Sequence, residues 1–288
     1  MLKYIVRRIF MMIPVIIGIS FLIFAIMNLT PGDPARLMLG ESASNEDVEA
    51  LREEMGLNDN FFVRYFNYLK DALQGDFGVS YRSRVPVFNE LFGRFPSTLK
   101  LALGSTIIMI LVGIPIGVIS AVKQYSIIDN ISLFSAFLLT SMPAFWLGLM
   151  LILVFSLGLG WFPATGVDTW RNYVLPCITL AAAMLASLIR MTRSSMLEVI
   201  RQDYIRTAKA KGAGENRIIT KHSLRNALLP VITIIGMNFA SMLGGTMIIE
   251  SVFAMPGLGT MTITAIRMKD TPLVIASVGF VAIAISLM

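Results

Sequence analysis

The sequence has one cysteine and one histidine in 288 residues, and only 15% of its side chains are charged. Cys177 lies in an apolar stretch, so neither a disulfide framework nor a thiolate metal site can be built. His222 has no H-E-x-x-H around it, and no serine or cysteine in the apolar runs has an evident base, which leaves intramembrane hydrolysis without residues. A phosphate-binding G-x-x-x-x-G-K-[ST] loop is missing too, since Gly212-Ala213-Gly214 is a lone G-x-G with no strand before it. Asp76-Phe77-Gly78 spells a kinase tripeptide, but the other kinase motifs that give it a role are lacking. No catalytic residue, metal ligand or bound cofactor is therefore expected.

Apolar residues are abundant instead, at 56%, with a mean hydropathy of +0.74, outside the soluble range. A membrane helix needs roughly 20 apolar residues, because 1.5 Å per residue must add up to a hydrocarbon core of about 30 Å. Six stretches without a charged residue meet or approach that length: Ile9 to Leu29, Leu101 to Val122, Ile131 to Pro163, Tyr173 to Ile189, Ala227 to Ile249 and Pro272 to Met288. The expectation is an all-α integral membrane protein with about six spans. The first run is too long for a signal peptide and lacks a small-x-small cleavage site, so it reads as an uncleaved first helix. The third is too long for one straight span and contains Pro143, which predicts a kink, a tilt or a partly re-entrant path. The last ends flush with the chain, and a further C-terminal tail is expected.

The net charge of +6 is not spread as on a nucleic-acid surface. Lys3, Arg7 and Arg8 precede the first run, and residues 190–226 hold nine Lys/Arg against three Asp/Glu. By the positive-inside rule these segments are cytoplasmic. Residues 30–97 are then a small extracytoplasmic helical insertion after helix 1, and 98–288 the membrane core, with a cytoplasmic loop at 193–226. Within the insertion, Ser44 followed by Asp47 reads as a capping box ahead of Val48, Leu51 and Met55, with Gly56 closing the turn. A second helix from Asn60 to Leu73 carries Phe62, Phe66, Leu69 and Leu73 on one stripe. That stripe packs on neighbouring helices and the membrane surface, or docks an extracytoplasmic protein; both readings stand. Nineteen methionines at helical spacing read as packing rather than a metal pathway.

The basic loop reads as a short helix, a turn at Gly212 to Gly214, and a second helix running into the next span, with Pro230 near its start. Thr207, Ala208, Ala210 and Gly212 let a partner's surface approach the backbone, while Arg206, Lys209 and Lys211 offer charged contacts. A solvated loop serving only topology is the plainer reading. The pattern Asp203-Tyr-Ile-Arg-Thr-Ala-Lys-Ala-Lys-Gly212 and then His222-Ser-Leu-Arg-Asn-Ala227 resembles the coupling loop of ATP-binding-cassette importer permeases, in the variant of the dipeptide, oligopeptide and nickel family. It departs from the general pattern at Arg206, where a glutamate is usual, and at Arg225, where a proline is. Ser141-Met-Pro143-Ala-Phe-Trp146, Gly244 to Gly259, and Pro31-Gly-Asp-Pro34 extend the likeness over essentially the whole chain.

The resemblance implies a type I importer permease fold, the first of two unlike permeases, with the N-terminus in the cytoplasm of a bacterial or archaeal cell (inner) membrane. Its partners would be a second permease, two cytoplasmic ATPase subunits that use ATP and magnesium, an extracytoplasmic substrate-binding protein and the lipid bilayer, with no nucleic acid. Peptides are the expected substrate, nickel or a nickel chelate the alternative; an ion-coupled secondary transporter is the alternative of another class. The ATPase-coupling residues would be Asp203, Tyr204, Arg206, Thr207, Ala208, Lys209, Gly212, Arg217, His222 and Arg225. Pathway or gate candidates are Ser141, Pro143, Trp146, Glu250, Phe253, Pro256 and Gly257. For Glu250, a carboxylate at a span end, an interfacial anchor and a gate element are both open.

Overall fold

The computed structural model describes residues 2–40 and 42–287. Met1, Glu41 and Met288, which fall in the expected segments, lie outside the described residues, as do the side chains of residues 2–6 and 9, Lys3 among them. The elements in order are α1 (Leu2–Leu29), α2 (Pro34–Leu39), α3 (Asn45–Glu54), α4 (Phe61–Leu73), α5 (Val87–Val122), α6 (Ile127–Ser141) and α7 (Ala144–Leu151), which continues as a π-helical stretch Ile152–Gly158. After these come α8 (Arg171–Ile200), α9 (Asp203–Ala210), the single turn α10 (Glu215–Arg217), a π-helical stretch Ile218–Leu224, α11 (Arg225–Val252), α12 (Leu258–Arg267) and α13 (Thr271–Leu287).

Among the described residues four helices are long and apolar enough to cross a membrane, and α6 with α7 makes a fifth if the bent pair is one span; α13 is apolar but shorter. The long third run breaks at Met142 and Pro143, where the two halves meet at 100°. Pro143 has no N–H to continue α6 and starts α7 instead. Other helices outrun their uncharged cores. α5 begins at Val87, so Pro96, expected in the insertion, sits inside a 36-residue helix. α8 runs on through Arg190 and Arg193 to Ile200. Pro230 is well inside a helical run that begins at Glu215, not near its start.

The chain divides into two compact units, one of residues 1–98 with 256–287 and one of 99–255. In the first, α1 and α13 run antiparallel, with the Arg8 guanidinium donating to the Ser286 carbonyl at 2.9 Å. Met27, Val87, Leu91, Leu258 and Leu273 form its main core. The helices of residues 30–73 carry the signals read from sequence: Ser44 Oγ accepts from the Asp47 amide at 3.1 Å, Asn60 Oδ1 from the Phe62 amide at 3.0 Å, and Gly56 takes a positive φ of 62°. Asp33 caps the further short helix α2.

In the second unit α8 packs on α6, α7 and above all α11. Small residues let α5 approach α8. A Cβ built on Gly104 would lie 2.6 Å from Cys177 Sγ, and one on Gly117 2.9 Å from the Ile189 carbonyl oxygen. Without a hydrophobic drive between helices in lipid, such close backbone approach carries the packing. Asn238 adds a polar tie, its amide donating to Ser187 Oγ at 3.1 Å and to Met109 Sδ at 3.5 Å across three helices.

Candidate functional site

The basic segment folds as an elbow between α8 and α11. α9 stops because Gly212 adopts φ 76°, which lets the Gly212 amide donate to the Lys209 carbonyl at 2.9 Å and the Ala213 amide to the Ala208 carbonyl at 3.1 Å. This is the Schellman arrangement, and only glycine occupies it without cost. One side of the elbow is anchored. Ile205 and Ile218 are buried, Asn226 donates to the Tyr204 hydroxyl at 3.0 Å, and Ala121, Met196 and Ala227 form a small core beneath. The other side is open: Asp203, Tyr204, Arg206, Thr207, Lys209, Gly212, Arg217 and Arg225 are exposed, and Ala208 and His222 half-buried. Arg206 is 3.7 Å from Asp203 in an exposed pair, too weak to hold the guanidinium back from a partner. The structure thus gathers all ten loop residues on one elbow. A Cβ on Gly212 would meet nothing within 4 Å, so the surface there is free for a close approach.

The residues expected at the pathway are not gathered in this way. Ser141, Pro143 and Trp146 are exposed at the α6–α7 bend, and Ser141 Oγ donates back to the Phe137 carbonyl at 2.9 Å. Glu250 is 1% exposed in the last turn of α11, and Phe253 is equally buried. Glu250 therefore faces protein and not lipid. Phe253 fits against α7, where a Cβ on Gly148 would come within 3.2 Å of its ring. Pro256 and Gly257 belong to the other compact unit, at the start of α12.

α11 ends as α9 does, with the Met255 amide donating to the Glu250 carbonyl at 2.8 Å, but the left-handed position is Ala254, φ 49°. An L-residue there costs about 1–2 kcal/mol. α12 ends in the same way on Lys269, φ 54°. The buried Lys269 ammonium donates to the Thr30 carbonyl and, at 2.7 Å, to the Gly32 carbonyl. Burial pushes this ammonium below the ordinary lysine range, while the charge of Asp33 acts the other way. Next to it Asp270, fully buried, accepts from the Ser80 hydroxyl and from the Arg82 and Leu273 amides.

Sequence reasoning missed this pair, and it missed a clasp behind the elbow. Arg193 of α8 grips Asp129 of α6 through two bonds of 2.8 Å, while Ser120 and the Tyr125 amide fill the remaining acceptor positions of the carboxylate. The signal was a lone acid, Asp129, just before an apolar run. A carboxylate there must be paired or hydrated.

Long apolar helices, a span broken at a proline and an exposed basic elbow between two of them define a membrane permease of the type I importer architecture. The chain belongs to the family described as the binding-protein-dependent transport system inner membrane component, whose model matches residues 113–288, with the companion N-terminal model matching 1–102. It is 46% identical to the oligopeptide transport system permease protein AppB of Bacillus subtilis (strain 168), over 96% of this chain and 91% of that one. It is 41% identical to the glutathione transport system permease protein GsiC of Escherichia coli (strain K12), again over 96% and 91%. Among solved structures, an inward-facing MetNI methionine ABC transporter shares the fold, with a TM-score of 0.56 at 19% identity over 69% of this chain and 92% of that one. A permease of this kind is an integral membrane protein that works with ATPase and substrate-binding partners. Its family removes the ion-coupled secondary transporter from consideration.

Proposed function

We propose that this chain forms the translocation pathway for peptides in an ATP-driven importer of a bacterial or archaeal cell (inner) membrane, as one of two unlike permease subunits. The elbow carries the reading. There the described residues offer a cytoplasmic ATPase an open, small-residue, cationic surface backed by two helices long enough to cross the membrane. Two ATPase subunits bind and hydrolyse ATP with magnesium, and this chain holds no cofactor and performs no catalysis. Peptides are favoured as cargo because the relatives cited are named for oligopeptide and glutathione transport.

In this reading ATPase closure pushes on α9, and the anchored side of the elbow passes the displacement to α8 and α11. The push can shift the bundle only if the ATPase contact is stronger in one bundle state than in the other. The Asp129–Arg193 clasp makes α6 move with α8, so the broken span is included in the motion. Glu250 and Phe253, at the far end of α11, form part of the gate that the motion opens.

The test uses the assembled importer in vesicles with its binding protein. Gly212→Val leaves insertion and basal ATP hydrolysis in place and abolishes hydrolysis-driven peptide uptake. Wild-type uptake by that variant sinks the proposal, as does uptake of a nickel chelate and no peptide by the unmodified importer.

A further inference from the structure

Helix α4 leaves an apolar stripe uncovered. Phe61, Tyr65 and Leu69 pack against α1, where Phe61 meets the rings of Phe21 and Phe24 and Tyr65 sits with Phe24 and Ile275. The adjacent stripe, Phe62, Phe66 and Leu73, is 69%, 67% and 88% exposed. On the opposite side Arg64, Asn67 and Asp71 line a polar cavity. The helix is therefore amphipathic over its whole circumference, with half of its apolar face satisfied by α1.

Where α4 meets α1 sets its depth. The Tyr65 hydroxyl donates to the Ile17 carbonyl at 2.9 Å and lies 2.9 Å from the Ser20 hydroxyl. The apolar span of α1 ends at Leu29. At 1.5 Å per residue, Asn28 is about 2 Å, Phe24 about 8 Å and Phe21 about 12 Å from that end, and these meet Arg64, Phe61 and Tyr65 of α4, while only the tip of Tyr65 reaches Ile17, about 18 Å down the helix. Half of the hydrocarbon core is about 15 Å thick. The crossing of α4 over α1 is thus at the level of the acyl chains, although the sequence places the segment in a polar insertion.

We infer that α4 is seated in the leaflet holding the Leu29 end of α1, with Phe62, Phe66 and Leu73 against lipid acyl chains. Phe21, Leu22 and Ile26 are likewise exposed on α1, a helix long and apolar enough to cross a membrane, and Phe21 meets Phe61 and Tyr65 of α4. Lys70, exposed one turn beyond Phe66, flanks the stripe and reaches headgroup level, as amphipathic helices at the bilayer surface place their lysines. The polar side with Asn67 and Asp71 stays in water.

Spin labels test this in the complete importer reconstituted in bilayers, with Cys177→Ala as background. A label at Phe66→Cys collides with dissolved oxygen in preference to a water-soluble nickel complex, and one at Asn67→Cys shows the reverse order. Phe62→Cys supplies an independent reading should Phe66→Cys fail to assemble. Equal nickel access at 66 and 67, with or without later protection by the binding protein, overturns the inference. Exclusion of both quenchers at 62 and 66, which would mean a protein cover, overturns it as well.

Discussion

The helix that stops at Gly212 and the one that stops at Ala254 close with the same pair of backbone bonds, and their surroundings are opposite. Around Gly212 the chain is exposed and the space beside it empty. On either side of Ala254, Phe253 and Met255 are 1% exposed. At the elbow the motif is cheap, because glycine takes the left-handed turn freely and water satisfies what is left. At the end of α11 an alanine is held in a conformation that it disfavours, and the packing of its neighbours must supply the difference. A left-handed alanine persists there only because its surroundings over-determine it, whereas the glycine turn needs no such support.

The contrast can be broken first at the most buried helix end. Asp270→Ala strands three donors, so the assembled importer is expected to lose about 3 kcal/mol, read as a lower thermal midpoint in detergent. An effect no larger than that of Asp203→Ala on the exposed elbow would show that burial does not separate the two kinds of turn. Next in size is Gly212→Val, whose backbone strain of about 1–2 kcal/mol falls on α9 alone. Uptake should disappear, and the midpoint should fall by less than in Asp270→Ala. Ala254→Gly relieves the turn of α11, and after the added freedom of the unfolded chain the gain is under about 1 kcal/mol. A lowered midpoint there would mean that the alanine methyl packs and is not strained. Smallest is Asp203→Asn, which removes an exposed pair 3.7 Å long and should leave the midpoint unchanged at any salt concentration.

Much of the fold was legible because lipid imposes one dominant rule, that apolar runs become helices. Five of the six runs are helical through their described residues, and the third is helical as far as Gly158 apart from the break that Pro143 marked. The elbow was legible for a local reason, since Gly212 and the small residues before it dictate a stop. What escaped the reading depends on distance in sequence. Lys269 finds its acceptors more than 230 residues away and Arg193 its carboxylate 64 residues away, and nothing local to either reports the partner. Helix ends were misjudged where charge was taken to end a span. α5 and α8 both continue past their charged residues, because a helix leaving the bilayer keeps its own backbone bonds. The stripe on α4 was seen, but the contact of Tyr65 with Ile17 and Ser20 of α1 was not legible, because it joins residues more than 40 apart in sequence. The candidates at Ser141, Pro143 and Trp146 came from one family motif and Glu250 and Phe253 from another, and α7 packs on α11 where Gly148 meets Phe253.

The bend of 100° after α6 bears on how such a subunit is made. The first intrahelical bond of α7 is donated by Leu147, so the amides of Ala144, Phe145 and Trp146 have no acceptor within their own helix. Hydrocarbon offers none either. Within a bilayer those three donors must be met by side chains, by water or by another chain, so the corner is completed only by what surrounds it.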